Sequence, residues 1–204
     1  MTAILPATSL ADRVTTLFWR KPKLLLALLL LGLWTWVTGG LHLDGLADLA
    51  DALGASHSNP ARFLEVLKDP HLGSFGVIAL VLMLLSKFVL LAQLDAAMLP
   101  TLLLVPSWAR LGPLVWVWWL PPLHGGMGDR FAWQRQPWAM LLWVALLVAA
   151  SLWLSPRLLA APLLIAAWGL FLRRKLGGQC GDALGAGIEV TELGLLLALA
   201  IHLP

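Results

Sequence analysis

Six stretches of the chain are apolar over membrane-crossing lengths. Residues 24–41 carry no charge and follow the bases Arg20, Lys21 and Lys23. Residues 73–94 are interrupted only by Lys87, and residues 96–120 only by Arg110 near their middle. Residues 136–155 are uncharged, residues 157–172 form a shorter run, and residues 183–203 carry Glu189 and Glu192 in their first half. A spanning helix takes about 20 mostly apolar residues. In lipid each segment must satisfy its own backbone hydrogen bonds, so these runs are expected as helices. The pattern predicts an all-α, polytopic transmembrane bundle of about six spans, in one domain covering residues 1–204.

Polar sequence is scarce and unevenly placed. The expected loops are residues 44–72, the Gly- and Pro-rich residues 121–136, and residues 173–182, basic and then glycine-rich. With six spans all three fall on one side, which brings most of the loop acids and bases to one face. No internal repeat or low-complexity tract is visible. Residues 1–19 do not read as a secretory signal, because the basic cluster follows the weakly apolar part.

Composition sharpens this picture. The chain is 60% hydrophobic and 12% charged, about half the charge of a soluble domain, with a mean hydropathy of +0.85. A net charge of +3 is no nucleic-acid signature, and none is expected as a partner; the bilayer is. The single cysteine, Cys180, makes no internal disulfide. There are twelve tryptophans and no tyrosine. Trp19, Trp34, Trp36, Trp118, Trp119, Trp133 and Trp138 sit near the ends of apolar runs, as an interfacial belt requires.

Against this background "GGLHLDGLADLADALG", residues 39–54, stands out: it holds three of the chain's eleven acids. Asp44, Asp48 and Asp51 are spaced i, i+4, i+7 and fall within about 60° on a helix. The alanines between them favour helix, and Asp44 suits its start. Three carboxylates on one face repel unless a cation sits among them. Mg²⁺ suits them, because it takes hard oxygen ligands, keeps waters and is usually shared with substrate phosphates. A solvated acidic face outside the membrane is the alternative.

Two further segments favour the metal. "EVLKDPHLGSFG" places Lys68, Asp69 and His71 before a glycine-rich entry into the next span. "RRKLGGQCGDALGAGIEVTE" combines Arg173, Arg174 and Lys175 with a Gly177–Gly178 turn, then Gly181 and Asp182 at a helix start. Exposed N–H groups at such a turn, with Arg and Lys nearby, suit phosphate. Chemistry at a metal-bound phosphate takes a cation, bases for the developing charge and an acceptor for a proton. Asp48, Asp51 and His42 are the candidates for that acceptor, with an ordinary interfacial histidine as the alternative for His42. His71 and His124 carry the same alternative. Glu189 and Glu192 lie in an apolar helix, where acids are costly and face inward. They read either as ligands or as helix-pairing groups. Lys87 and Arg110 read as their partners, as snorkelling bases or as cavity lining.

At these blocks the sequence resembles the cobalamin synthase family, the adenosylcobinamide-GDP ribazoletransferases. The matching runs are "TGGLHLDGLADLADALG", "RFLEVLKDPHLGSFGVIALVL" and "LGGQCGDALGAGIEVTELGLLLAL", in family order, from about residue 24 to the C-terminus. The resemblance implies transfer of the cobinamide-phosphate part of a GDP-activated corrinoid to the ribosyl 3′-hydroxyl of α-ribazole or its 5′-phosphate. GMP leaves and Mg²⁺ is required. It implies Asp44, Asp48 and Asp51 as metal ligands and Asp182 as a second acidic site. Lys68, Asp69, Arg174 and Lys175 would handle phosphate or orient its partners. Leu49, Cys180 and Ala183 stand where the family pattern has threonine, and the 121–131 loop matches only in "GGMGDRF".

The resemblance also implies an N-terminal segment and a first spanning helix ahead of these blocks. They are missing here, and the expectation is a natural short form or a misplaced start. The active loops are expected on the cytoplasmic side of a bacterial inner membrane. Arg62, Lys68, Arg130, Arg135, Arg173, Arg174 and Lys175 fall on their face, against Arg13, Arg20, Lys21, Lys23 and Arg157 on the other, and cytoplasmic loops carry the excess of bases. Rival readings are a CDP-alcohol phosphotransferase, whose spaced aspartates "DGLADLAD" overlaps only superficially, and a transporter using the buried charges, for which no repeat is found. A catalytically inactive member of the family and a homo-oligomer are left open.

Overall fold

The computed structural model describes residues 22–56, 59–123 and 137–201. Trp19, Arg20, Lys21, His124, Arg130, Trp133 and Arg135 therefore lie outside the described residues. The chain forms α1 (Pro22–Thr38), α2 (Leu41–Ser56), α3 (Pro60–Val66), α4 (Ser74–Gln93), α5 (Leu99–Leu102), α6 (Leu104–Ala109), α7 (Leu111–Trp119), α8 (Pro137–Leu154), α9 (Ala161–Lys175) and α10 (Gly181–Ala200). Short 3₁₀ turns, Ala96–Met98 and Pro156–Ala160, precede α5 and α9. Among the described residues there is no strand, only a single parallel bridge between Pro122 and Gln179. The architecture is all-α.

Four helical stretches are long and apolar enough to cross a membrane: Ser74–Gln93, Pro137–Leu154, Pro156–Lys175 and Gly181–Ala200. A fifth crossing follows if α1 and α2, bent by 85°, are taken together. The 17 residues of α1 reach about 25 Å at 1.5 Å per residue, close to the ~30 Å hydrocarbon core. With α1 along the membrane normal, the bend lays α2 along the membrane face. We therefore read α2 as interfacial.

Two expectations change. Residues 44–72 are mostly helix, α2 and α3, rather than loop. The expected third span, residues 96–120, is instead a chain of short helices broken at Leu103 and Arg110. Pro100, Pro106 and Pro113 each sit in the first turn of one of these pieces. Proline lacks the N–H that an interior turn donates and clashes with the preceding turn, but fits a first turn. An apolar count does not register it.

At the centre stands α10. It packs against α2, α4, α6, α7 and α9 and is buried over most of its length. Trp108 and Trp116 are fully buried beside it. Their indole N–H groups donate to Ser151 Oγ at 2.9 Å and to the Ile165 carbonyl at 2.8 Å, which removes the cost of burying them. Trp36, Trp118, Trp119 and Trp138 face outward, as do Leu29, Leu82 and Leu142.

Candidate active site

The acidic helix is aimed by its own first residues. Gly39 and Gly40 take φ of 60° and 70°, a region that side chains other than glycine's rarely adopt. They make the 85° turn, and α2 starts at Leu41, three residues ahead of Asp44. The helix then runs over the N-terminal ends of two spans. A methyl group on Gly185 would stand 3.4 Å from the His42 Cα, and one on Gly45 would stand 2.9 Å from both the Cα and the carbonyl oxygen of Asp182. Only a glycine at 45 lets the α2 backbone approach the start of α10 so closely. Further along, Gly54 meets the Phe75 ring at the start of α4.

This crossing gathers the aspartates. Asp44 is exposed, while Asp48 and Asp182 are half-buried. Desolvation raises the Asp48 carboxyl first, and the charges of Asp44, Asp182 and Asp51 add to it; together they push its pKa up to about 6. Three like charges act on one group, so Asp182, from a distant part of the chain, belongs to the same cluster.

Asp51 is differently placed. It is buried, and both of its oxygens are taken: Oδ2 accepts from the Gly73 N–H at 2.7 Å and Oδ1 from the Gly76 N–H at 2.9 Å. His42 is half-buried, with its Nδ1 enclosed and without a partner among the described residues. Burial lowers its pKa, with Arg110 and Lys87 pushing the same way and Glu192 opposing. The imidazole is therefore neutral at pH 7.

The expected phosphate-handling residues are spread over the same face. Lys68 and Asp69 are exposed after α3. Asp69 Oδ1 lies 2.6 Å from His71 Nδ1 and accepts the His71 N–H at 3.0 Å, which lowers the Asp69 pKa. Arg174 and Lys175 are exposed in the last turn of α9. Gly177 is exposed with φ 74°. Gly178 is buried, and a methyl there would stand 2.5 Å from the Pro121 carbonyl, so it serves packing. The Gln179 N–H donates to that carbonyl at 2.8 Å, and Leu123 N–H to the Gln179 carbonyl at 2.9 Å. This ties the start of the 121–136 segment to the glycine turn. Gly181 opens α10, whose N-cap, Cys180, makes no side-chain capping bond. Burial pushes the Cys180 thiol up to about 11, so it stays protonated.

Glu189 and Glu192 are not part of the acidic cluster. Lys87 Nζ lies 2.6 Å from an oxygen of each, and Arg110 donates to the other Glu192 oxygen at 3.1 Å. Lys87 and both glutamates are almost fully buried, and the network has two charges of each sign. Of the alternatives for these residues, pairing is the one realised; Lys87 and Glu189 also border a small cavity with Trp34, Thr35 and Thr38. Pattern reading missed Gly45, Gly73 and Gly76. Each lies where a helix meets a carboxylate or another backbone, which the sequence around it does not signal.

Among the described residues, no three His, Cys, Asp or Glu side chains come close enough to hold a metal by themselves. That donor set still fits Mg²⁺, which is usually held by one or two carboxylates together with waters and substrate phosphates.

The chain is similar to known proteins over most of its length. Residues 3–200 match the cobalamin-5-phosphate synthase family. The chain belongs to this family. An adenosylcobinamide-GDP ribazoletransferase of Novosphingobium aromaticivorans is 57% identical over 176 residues, 86% of this chain and 71% of that protein. One from Laribacter hongkongensis is 58% identical over 186 residues, 87% and 75% of the two chains. One from Thiobacillus denitrificans is 51% identical over 175 residues, 84% and 70%. No solved structure matches. The family match covers all three blocks singled out by the aspartates, the Lys68 segment and the glycine turn.

Proposed function

We propose that this chain is an adenosylcobinamide-GDP ribazoletransferase acting on a membrane face. It joins adenosylcobinamide-GDP to α-ribazole, or to its 5′-phosphate, giving adenosylcobalamin or its phosphate and GMP. The ribosyl 3′-hydroxyl oxygen attacks the phosphorus on the cobinamide side of the pyrophosphate. The new P–O bond forms as the bond to GMP breaks, and the hydroxyl proton passes to a base.

The observation that carries this reading is the crowding of Asp44, Asp48 and Asp182 where α2 crosses the start of α10, in a chain of this family. One or two of these carboxylates, with water and the substrate's phosphate oxygens, would hold Mg²⁺, whose charge would offset that of the pyrophosphate oxygens. Arg174 and Lys175 hold phosphate from one side, and Lys68 from the other, where its charge also spreads the negative charge that develops on the leaving GMP. Asp69 fixes the turn after Lys68. The half-buried start of α10 at Gly181 adds the positive end of a helix, while the Gly177 N–H is already given to the Leu172 carbonyl at 3.1 Å. His42, neutral at pH 7, and Asp48 are the two groups suited to take the proton. The bilayer is a bacterial inner membrane with this face toward the cytoplasm, where the nucleotide substrate resides.

The test is turnover by the purified chain in lipid, with adenosylcobinamide-GDP and α-ribazole phosphate, with and without Mg²⁺. GMP and cobamide released only with the metal support the proposal. A folded protein giving neither product at any Mg²⁺ concentration rejects it. The transporter reading is disfavoured by the buried charges, which neutralise one another instead of lining an open path.

A further inference from the structure

The three aspartates of α2 look equivalent in sequence. We infer that Asp51 is a positioning residue, an N-cap delivered to α4 from another helix, and not a metal ligand. The inference rests on the reading of Asp44, Asp48 and Asp182 as the metal face.

The N-cap position of α4 is Gly73, which has no side chain to offer, and no side-chain cap comes from its own segment. The first N–H groups of a helix have no partner within it. Asp51 supplies one from 22 residues away: its two oxygens accept from Gly73 and Gly76, one turn apart. A carboxylate there also meets the positive end of the helix dipole. The glycines are part of the fit. A methyl on Gly73 would collide with Asp51 Oδ1, and one on Gly76 with Oδ2. The carboxylate thus occupies a notch that only glycines leave open. With 8% of the residue exposed, little of it faces the open side on which a hydrated ion and a substrate phosphate would sit.

What the contact positions is α2. One helix start, α10, meets α2 at Gly45, and the other, α4, is gripped by Asp51. The two contacts bracket Asp48. Loosening the grip at Asp51 lets α2 roll, and Asp48 then moves relative to Asp182.

The experiment uses the full chain in lipid nanodiscs, with two readouts. One is the Mg²⁺ dependence of GMP release from adenosylcobinamide-GDP. The other is hydrogen exchange at the Gly73 and Gly76 amides, followed by NMR with ¹⁵N-glycine. Asp51→Asn keeps an acceptor for one glycine but turns an N–H₂ toward the other; Gly76→Ala closes the notch. Both are expected to cut turnover at least tenfold, leave the half-saturating Mg²⁺ within twofold, and speed exchange more than tenfold at a glycine amide that loses its carboxylate acceptor, which in Gly76→Ala is read at Gly73. Asp48→Asn also lowers turnover but is expected to differ in the other two readouts, raising half-saturating Mg²⁺ at least tenfold with the glycine exchange unchanged. If Asp48→Asn leaves the Mg²⁺ dependence alone, the metal-face reading fails, and the exchange data still decide the role of Asp51. A tenfold rise in half-saturating Mg²⁺ for Asp51→Asn, with unchanged glycine exchange, overturns the inference. Should that variant not fold, the wild type decides: protected Gly73 and Gly76 amides support the cap, and exchange at unstructured rates overturns it.

Discussion

At the scale of residues, Asp48 carries the electrostatic tension of the site. Its pKa is about 6 in the folded chain against roughly 3.9 when unfolded. The folded state therefore binds the extra proton between those values. Its stability from this group is fully present below about pH 4 and is lost as pH rises through about 6. In metal-free buffer, Asp48→Asn is expected to raise the thermal midpoint at pH 7.5 and to leave it unchanged at pH 4. Mg²⁺ is expected to raise the midpoint of the wild type but not of the variant. The same substitution is expected to lower turnover by about 100-fold or more, the scale of losing a group that stabilises developing charge. A melt and an assay on one preparation check all three. The i, i+4, i+7 spacing made the shared face of the three aspartates legible in sequence. It did not separate Asp51 from Asp48, because the difference lies in Gly73 and Gly76, which come from another helix.

At the scale of elements, hydropathy located the long helices and failed where proline, not charge, interrupts them, as at Pro106 and Pro113. It also flagged Lys87, Arg110, Glu189 and Glu192 as costly without showing that they meet. In the structure they pin α4 and the Arg110 turn to α10. A buried charge stripped of its partner costs about 3–5 kcal/mol. Lys87→Met is expected to destabilise by that amount in denaturant titrations of the reconstituted protein. Adding Glu189→Gln is expected to recover a good part of the loss, since Glu192 keeps Arg110. A second element contact is steric. Gly45→Ala pushes a methyl against the Asp182 backbone, so α2 and α10 must separate. A cost of about 1–3 kcal/mol is expected, typical of overpacking, with a fall in turnover exceeding that of an alanine placed at Gly181, where an added methyl meets no neighbour. Gly45 read as an ordinary helical glycine in the sequence, because nothing local reveals what crosses it.

At the scale of the whole molecule, the helix ends sort into two faces. The exposed pair Lys23–Asp95, 2.7 Å apart, fixes the start of α1 level with the end of α4. Arg157 donates to the Leu199 carbonyl at 3.0 Å, which sets the start of the α9 stretch level with the end of α10. Gly39–Gly40, Gly73, Lys175 and Gly181 therefore lie at the other face, with the aspartates. The sequence foresaw this convergence from six spans; the structure retains it with four or five, because the short helices of residues 96–120 still carry the chain back to the Gln179 bridge. The faces differ in charge, since Lys68, Arg173, Arg174 and Lys175 all belong to the site side, and that excess predicts a cytoplasmic orientation. Cysteines placed one at a time in a Cys180→Ser background test it. In intact cells, a membrane-impermeant maleimide is expected to label Asp95→Cys and to spare Arg173→Cys, which reacts only after the cells are opened. Labelling of Arg173→Cys in intact cells would invert the molecule and place the aspartates on the side where no nucleotide-activated substrate is available.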